Sequence, residues 1–155
     1  MGRNHSASYQ VSILYAAFFV FAICLFPSFA HAASYSTLKR HQADGSFVTQ
    51  TLTKAASPYM IPSGCESNLL DRGQTLTIEA GVVIKFGPPE RCGLSGSPPS
   101  QLLVYGNLDV RGTPSDPVIF TSWYDDSAGG DTNENGNATA PQKEDWLRIH
   151  VGKLY

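Results

Sequence analysis

Several absences narrow this chain before anything it contains does. No block of lysine and arginine occurs: 11 basic residues are scattered among 13 acidic ones, which leaves no electrostatic footprint for nucleic acid. Helical periodicity is missing beyond residue 32, so a helix-built domain is excluded. A second long apolar run is missing too, which leaves the remainder without a bilayer-spanning stretch and predicts a soluble mature chain. Nucleophile motifs built on Ser or Cys are absent. His41 and His150 stand alone, with no Cys or His at metal-ligand spacing.

What is present begins with a leader. Arg3 and the amino terminus precede the apolar run Ile13–Phe26, and Pro27-Ser-Phe-Ala30-His31-Ala32 follows it with a small-x-small pattern. This is the plan of a secretory signal peptide over residues 1–32, cut after Ala32. The run is shorter than the roughly 20 residues a spanning helix needs, which argues against the alternative of an uncleaved anchor. The expected location is therefore outside the cytoplasm: extracellular, cell-surface or periplasmic. Cys24 leaves with the leader, and the remaining two cysteines of an exported chain are expected to pair as Cys65–Cys92.

The strongest internal pattern is a repeat. Leu76-Thr-Ile-Glu-Ala-Gly-Val-Val-Ile-Lys85 returns 26 residues later as Leu102-Leu-Val-Tyr-Gly-Asn-Leu-Asp-Val-Arg111. Leu76 aligns with Leu102, Ile78 with Val104, Val82 with Leu108 and Ile84 with Val110. Each copy is two short alternating strands broken by a turn of small residues, Ala80-Gly81 or Gly106-Asn107. A strand-built repeat of this length is the mark of a solenoid, each copy one coil stacked on the last. The spacing of Cys65 and Cys92 nearly equals the repeat, so the two would sit one coil apart, within disulfide reach.

Around the repeat the chain divides further. Residues 33–57 are polar and read as a flexible or loosely docked leader segment. The β domain is expected over residues 58–155. Tyr59-Met60-Ile61 opens it, and residues 87–100, rich in Gly, Pro and Ser, form a loop between coils. In the first coil Ile84 and Phe86 share a face while Lys85 points the other way. Val118–Thr121 gives the second coil a third strand, hence a triangular cross-section. Residues 123–145 form an Asp-, Asn- and Gly-rich insertion. Trp146–Val151 resumes alternation as the opening strand of a third coil, with Leu147, Ile149 and Val151 on one face and His150 facing outward. The expected fold is all-β, a parallel solenoid of about two and a half coils preceded by a signal-peptide helix.

These segments, together with Pro117-Val-Ile-Phe-Thr-Ser122 and the run Asp125-Asp126…Gly129-Gly-Asp-Thr-Asn133…Asp145-Trp146, resemble bacterial exported right-handed parallel β-helix repeat proteins of the pectate-lyase-like superfold. The resemblance covers about residues 57–151. It implies a right-handed parallel β-helix on or outside the cell surface. It implies no single activity, since this fold carries lyases, hydrolases, adhesins and stalks. Leu147-Arg148 follow the tryptophan where small residues are usual in such proteins. Relatives also continue for many coils, so a truncated or N-terminal segment is expected.

The insertion holds the candidate metal site. Asp131-Thr-Asn133-Glu-Asn135-Gly136 has the Asp-x-Asn-x-Asn-Gly form of a calcium loop, and Asp125 and Asp126 lie near enough to add carboxylates. Gln142 stands where a bidentate Glu would complete an EF-hand, so any affinity belongs in the range of about 10⁻⁴–10⁻³ M. The competing reading is an Asx-rich surface loop. Asn137-Ala138-Thr139 matches a glycosylation sequon and is read as chance. Trp123 and Tyr124 are candidate carbohydrate contacts, whereas Trp146 is expected to cover the core. Glu79, Asp109, Asp125 and Asp126 are not fixed as a catalytic pair by any spacing, so no catalytic residue is assigned.

Two classes of function therefore compete. The first is an exported, non-enzymatic surface, adhesion-like or structural scaffold with a weak calcium loop, and a cell-surface polysaccharide or protein as partner. The second is the N-terminal part of a carbohydrate-active β-helix enzyme, with a non-functional truncated fragment beside it. An uncovered last coil further predicts self-association through the open end.

Overall fold

A computed structural model describes residues 35–63, 68–88 and 98–152. The chain divides into two compact units, Met1–Ala30 and His31–Tyr155, and every described residue lies in the second. The expected signal peptide and the expected Cys65–Cys92 pair fall outside the described residues.

Ten strands make up the described fold: β1 (Ser36–Thr37), β2 (Gln50–Leu52), β3 (Tyr59–Ile61), β4 (Leu69–Leu70), β5 (Thr75–Ile78), β6 (Val83–Phe86), β7 (Ser100–Val104), β8 (Asn107–Val110), β9 (Ile119–Ser122) and β10 (Trp146–Val151). One short 3₁₀ turn, Lys54–Ala56, is the only helical element among them. Apart from that turn the regular structure of the described residues is all-β, and every pairing between these strands is parallel.

The strands form three sheets, ordered β1-β3-β6-β9, β2-β5-β8 and β4-β7-β10. From β2 onward each strand pairs with the one three elements later, so the chain visits the sheets in rotation. Parallel neighbours cannot be joined by a tight hairpin, and here the intervening two strands supply the crossover.

Alternation sends every second side chain inward, and register stacks like positions in columns. Tyr59, Ile84 and Phe120 form one column, and Leu52, Ile78 and Val110 another. Leu70, Val104 and Val151 form a third. The core is contiguous through Phe47, Leu52, Ile61, Leu70, Leu76, Ile78, Ile84, Phe86, Leu102 and Val104. Phe86 and Trp146 stack face to face across two sheets, 4.3 Å between centroids, so Trp146 covers the core as expected.

Turns stack as closely as strands. A Cβ on Gly106 would lie 2.4 Å from the Asp71 and Gln74 carbonyl oxygens of the turn below. Gly81 has φ +74°, and a side chain there would strike the Lys54–Asp116 ion pair. Both turns need glycine, for backbone approach in one case and for conformation plus space in the other.

Three expectations need correction. Residues 33–57 are not a loose leader: they carry β1 and β2 and give Leu38, Phe47 and Leu52 to the core. Low local hydrophobicity concealed three apolar residues spaced to reach one interior. Consequently one more circuit of the sheets precedes the expected two and a half. The repeat also aligns differently in space. Leu76 pairs with Leu108 and Ile78 with Val110, one strand away from the alignment by similarity, because adjacent alternating strands of equal length look alike in sequence. A pairing with a 26-residue offset does exist, between Gln50-Thr51-Leu52 and Leu76-Thr77-Ile78.

The last correction concerns β10. Its place in the stack is as expected: it follows β9 and pairs with β7, the strand that opens the expected second coil. Its register shifts between Trp146 and Arg148. This bulge turns Leu147 out to 51% exposure instead of placing it with Ile149, while His150 is exposed as expected.

Candidate functional site

The outer face of the four-stranded sheet carries the most unusual chemistry in the molecule. Val83 and Lys85 of β6 and Thr121 of β9 point away from the core, yet all are buried, Lys85 to 1% exposure. The insertion 123–145 covers them. Its Gly129 packs against Pro58 and Val83. Trp123 meets the ring of Tyr35 edge-on at 5.2 Å. Residues 121–132 therefore touch side chains that precede β1 and β3 as well as β6 itself.

Lys85 reaches into this cover. Its Nζ donates to the Asp125 carbonyl (2.8 Å), the Gly130 carbonyl (2.6 Å) and Thr132 Oγ1 (2.9 Å). Three donors meet three oxygen acceptors, which satisfies an ammonium fully. Desolvation pushes its pKa down, opposed by the carboxylates of Asp125, Asp126 and Asp131. Thr132 Oγ1 itself donates a hydrogen bond to the Trp123 carbonyl at 3.2 Å.

Asp125 is buried beside it. Its Oδ2 accepts from Thr121 Oγ1, and its Oδ1 accepts from the amide and hydroxyl of Ser127. Burial alone would raise its pKa. The hydrogen bonds from Ser127 and Thr121, with the Lys85 charge, more than reverse this and hold the carboxyl below its ordinary value.

The other four expected calcium ligands gather further along the insertion. Asp131 Oδ1 accepts from the Asn135 amide (3.0 Å) and Oδ2 from the Gly136 amide (2.6 Å). Asp126 Oδ2 accepts from the amide and hydroxyl of Thr139. Asn133 sits between them, its amide oriented so that donors face acceptors. Its nitrogen then lies within reach of Asp131 Oδ1 (2.7 Å), Asp126 Oδ1 (3.2 Å) and Asn135 Oδ1 (3.3 Å), one acceptor more than its two N–H groups can serve together. The structure thus brings Asp126, Asp131, Asn133 and Asn135 together and places Asp125 elsewhere, on Thr121 and Ser127. Among the described residues no three Asp, Glu, His or Cys side chains converge; this cluster has two carboxylates and two amides.

The two expected carbohydrate contacts do not form one platform. Trp123 is half-buried against Tyr35. Tyr124 lines a cavity of about 210 Å³ with Thr139, Ala140, Gln142 and Asp145. Carboxylates elsewhere are engaged in ion pairs: Asp116 with Lys54 at 2.7 Å and Asp109 with Arg111 at 2.8 Å.

Sequence reasoning missed Lys85, Gly130 and Thr132. One signal was available. Val82-Val83-Ile84-Lys85-Phe86 is apolar on both faces except for the lysine, and a strand of that kind is normally covered on both sides.

These features define an all-β protein of three parallel sheets, with an Asp/Asn-rich insertion laid over the outer face of one of them. No protein-family model matches the chain, and neither a curated protein nor a solved structure matches it.

Proposed function

We propose that this chain is an exported, non-enzymatic segment of a right-handed parallel β-helix, serving as a cell-surface scaffold. The observation that carries the reading is the pairing of strands three elements apart, in parallel, on three sheets, with apolar side chains stacked in columns. Right-handedness follows from the near-universal hand of parallel crossovers. The pairing of Asp109 and Asp116 with cations, and of Asp125 with hydroxyls, favours a structural use of the carboxylates over a catalytic one. Activity of the purified protein on a panel of uronic-acid polymers would overturn the scaffold reading; no turnover is expected.

The same reading includes a weak calcium site at Asp126, Asp131, Asn133 and Asn135. Oxygens of the other three lie within 3.3 Å of the Asn133 amide nitrogen. Turning that amide over would place a fourth oxygen there, the donor set a hard cation takes. With only two carboxylates, half-saturation is expected at about 10⁻⁴–10⁻³ M calcium. Calorimetric titration checks it: a heat lost on Asp131→Asn substitution supports the site, and no heat at millimolar calcium removes it.

A further inference from the structure

The segment 123–132 crosses the outer face of a parallel sheet with little apolar material to hold it there. Trp123 contributes an edge contact to Tyr35, and Gly129 a backbone contact to Pro58 and Val83. Its remaining attachments to β6 are polar: the Trp123 amide donates to the Phe86 carbonyl at 2.9 Å, and the side-chain attachments converge on one atom. Lys85 Nζ takes the Asp125 carbonyl, the Gly130 carbonyl and the Thr132 hydroxyl, which lie 40, 45 and 47 residues further along the chain.

We propose that Lys85 is a built-in cation that fastens residues 123–132 as a strap across the four-stranded sheet. A lysine ammonium is a compact point charge with three donors on a flexible stem, suited to a cage of three oxygens. Every acceptor in the cage belongs to the strap, so the charge joins β6 to the strap directly. The bonds are charge-assisted and sheltered from water, which places them among the stronger hydrogen bonds. Asp125, Asp126 and Asp131 supply the negative field around the cage, and Asp125 is itself pinned to β9 through Thr121. The strap thereby adds a side-chain tie between β9 and β6 to their backbone ladder. It also extends contact to Tyr35 and Pro58, which lie ahead of β1 and β3. The oxygens around Asn133 are not those that hold Lys85, although the charges of Asp126 and Asp131 act on both sites.

The cage makes a specific prediction about chemical rescue. Lys85→Ala leaves a vacancy the size of the deleted side chain, lined by the three strap oxygens. Propylammonium matches the missing atoms; tetramethylammonium carries the same charge with no N–H. Amide hydrogen exchange of the full chain, read by mass spectrometry, reports on the strap. Exchange over residues 123–132 is expected to accelerate in Lys85→Ala by at least about tenfold, the scale of one lost charge-assisted hydrogen bond. The amides of β5 are expected to keep wild-type rates. Propylammonium should restore most of the strap's protection, and tetramethylammonium none. Unchanged exchange overturns the proposal. So does acceleration that both ions or neither ion reverses, because lost packing would then be the cause. Should Lys85→Ala fail to fold, Thr132→Val removes one acceptor outside the core. A smaller acceleration confined to 123–132 is expected there, and wild-type rates in that variant also overturn the proposal.

Discussion

Leu52 and Val110 occupy the two outer strands of one sheet and point into the same column of side chains, yet Leu52 is 1% exposed and Val110 45%. The contrast recurs in the next sheet. Leu70 is fully buried, while Val151, above Val104 in the same column, is 68% exposed. The two ends of the described stack therefore differ in exposure. At the first end the chain folds over itself: Phe47 bridges Leu70 in parallel and Arg40 antiparallel. The Arg40 guanidinium lies 4.3 Å from the Phe47 ring centroid and donates to Gly45 and Asn68. The turn between Arg40 and Phe47 closes over the core with polar groups outward. At the other end β8, β9 and β10 present Val110, Ile119, Leu147 and Val151 to solvent. Closing an end of stacked parallel strands takes a dedicated segment, since the strands themselves leave both backbone edges and columns open.

The largest expected effect tests the closed end. Phe47→Ala should cost about 3–5 kcal/mol, the usual loss for a fully buried phenylalanine. Val151→Ala at the other end should stay within about 0.5 kcal/mol of wild type. Denaturant unfolding measures both, and equal losses would erase the distinction between the ends. Next in size is association. We expect the open end to draw copies together through unpaired edges and exposed apolar residues. Ile119→Lys with Val151→Lys should shift the protein toward monomer in analytical ultracentrifugation. An already monomeric wild type would show that exposure there has no consequence for assembly.

The smallest effect belongs to acid. Asp44 sits in the closing turn, where the amide and hydroxyl of Ser46 donate to its carboxylate and lower its pKa. A depressed carboxylate contributes stability that is complete above its unfolded value, near 3.8, and lost as pH falls through the folded value. The turn should therefore loosen only at strongly acidic pH. Exchange at Ser46 and Phe47 should lose that pH dependence in Asp44→Asn; an unchanged profile would assign it to another group.

Much of the strand inventory was legible in sequence. Leu76–Ile78, Val82–Phe86, Leu102–Val104, Leu108–Val110, Val118–Thr121 and Trp146–Val151 all lie on or within a residue of observed strands. Period-two alternation between turn residues is a local signal and survives without partners. Register was not legible. Pairing Leu76 with Leu108 rather than Leu102 depends on which strands the intervening loops bring together. The early circuit escaped notice because Leu38, Phe47 and Leu52 are isolated among polar residues, and only the shared interior unites them. In the insertion, Asp131, Asn133 and Asn135 of the Asp-x-Asn-x-Asn-Gly run share hydrogen bonds, while Asp125 is held apart by Thr121 and Ser127.

By itself, then, the sequence determined where strands run, where turns break them and which side chains alternate, because these follow from backbone geometry over a few residues. The tertiary structure alone decided that Lys85 is buried. An outward side chain on an alternating strand meets solvent unless something distant covers it, and here the cover comes from carbonyls at least 40 residues away. It also decided that one end of the described stack is buried and the other exposed, since exposure depends on what lies above a column of side chains rather than on the residues within it.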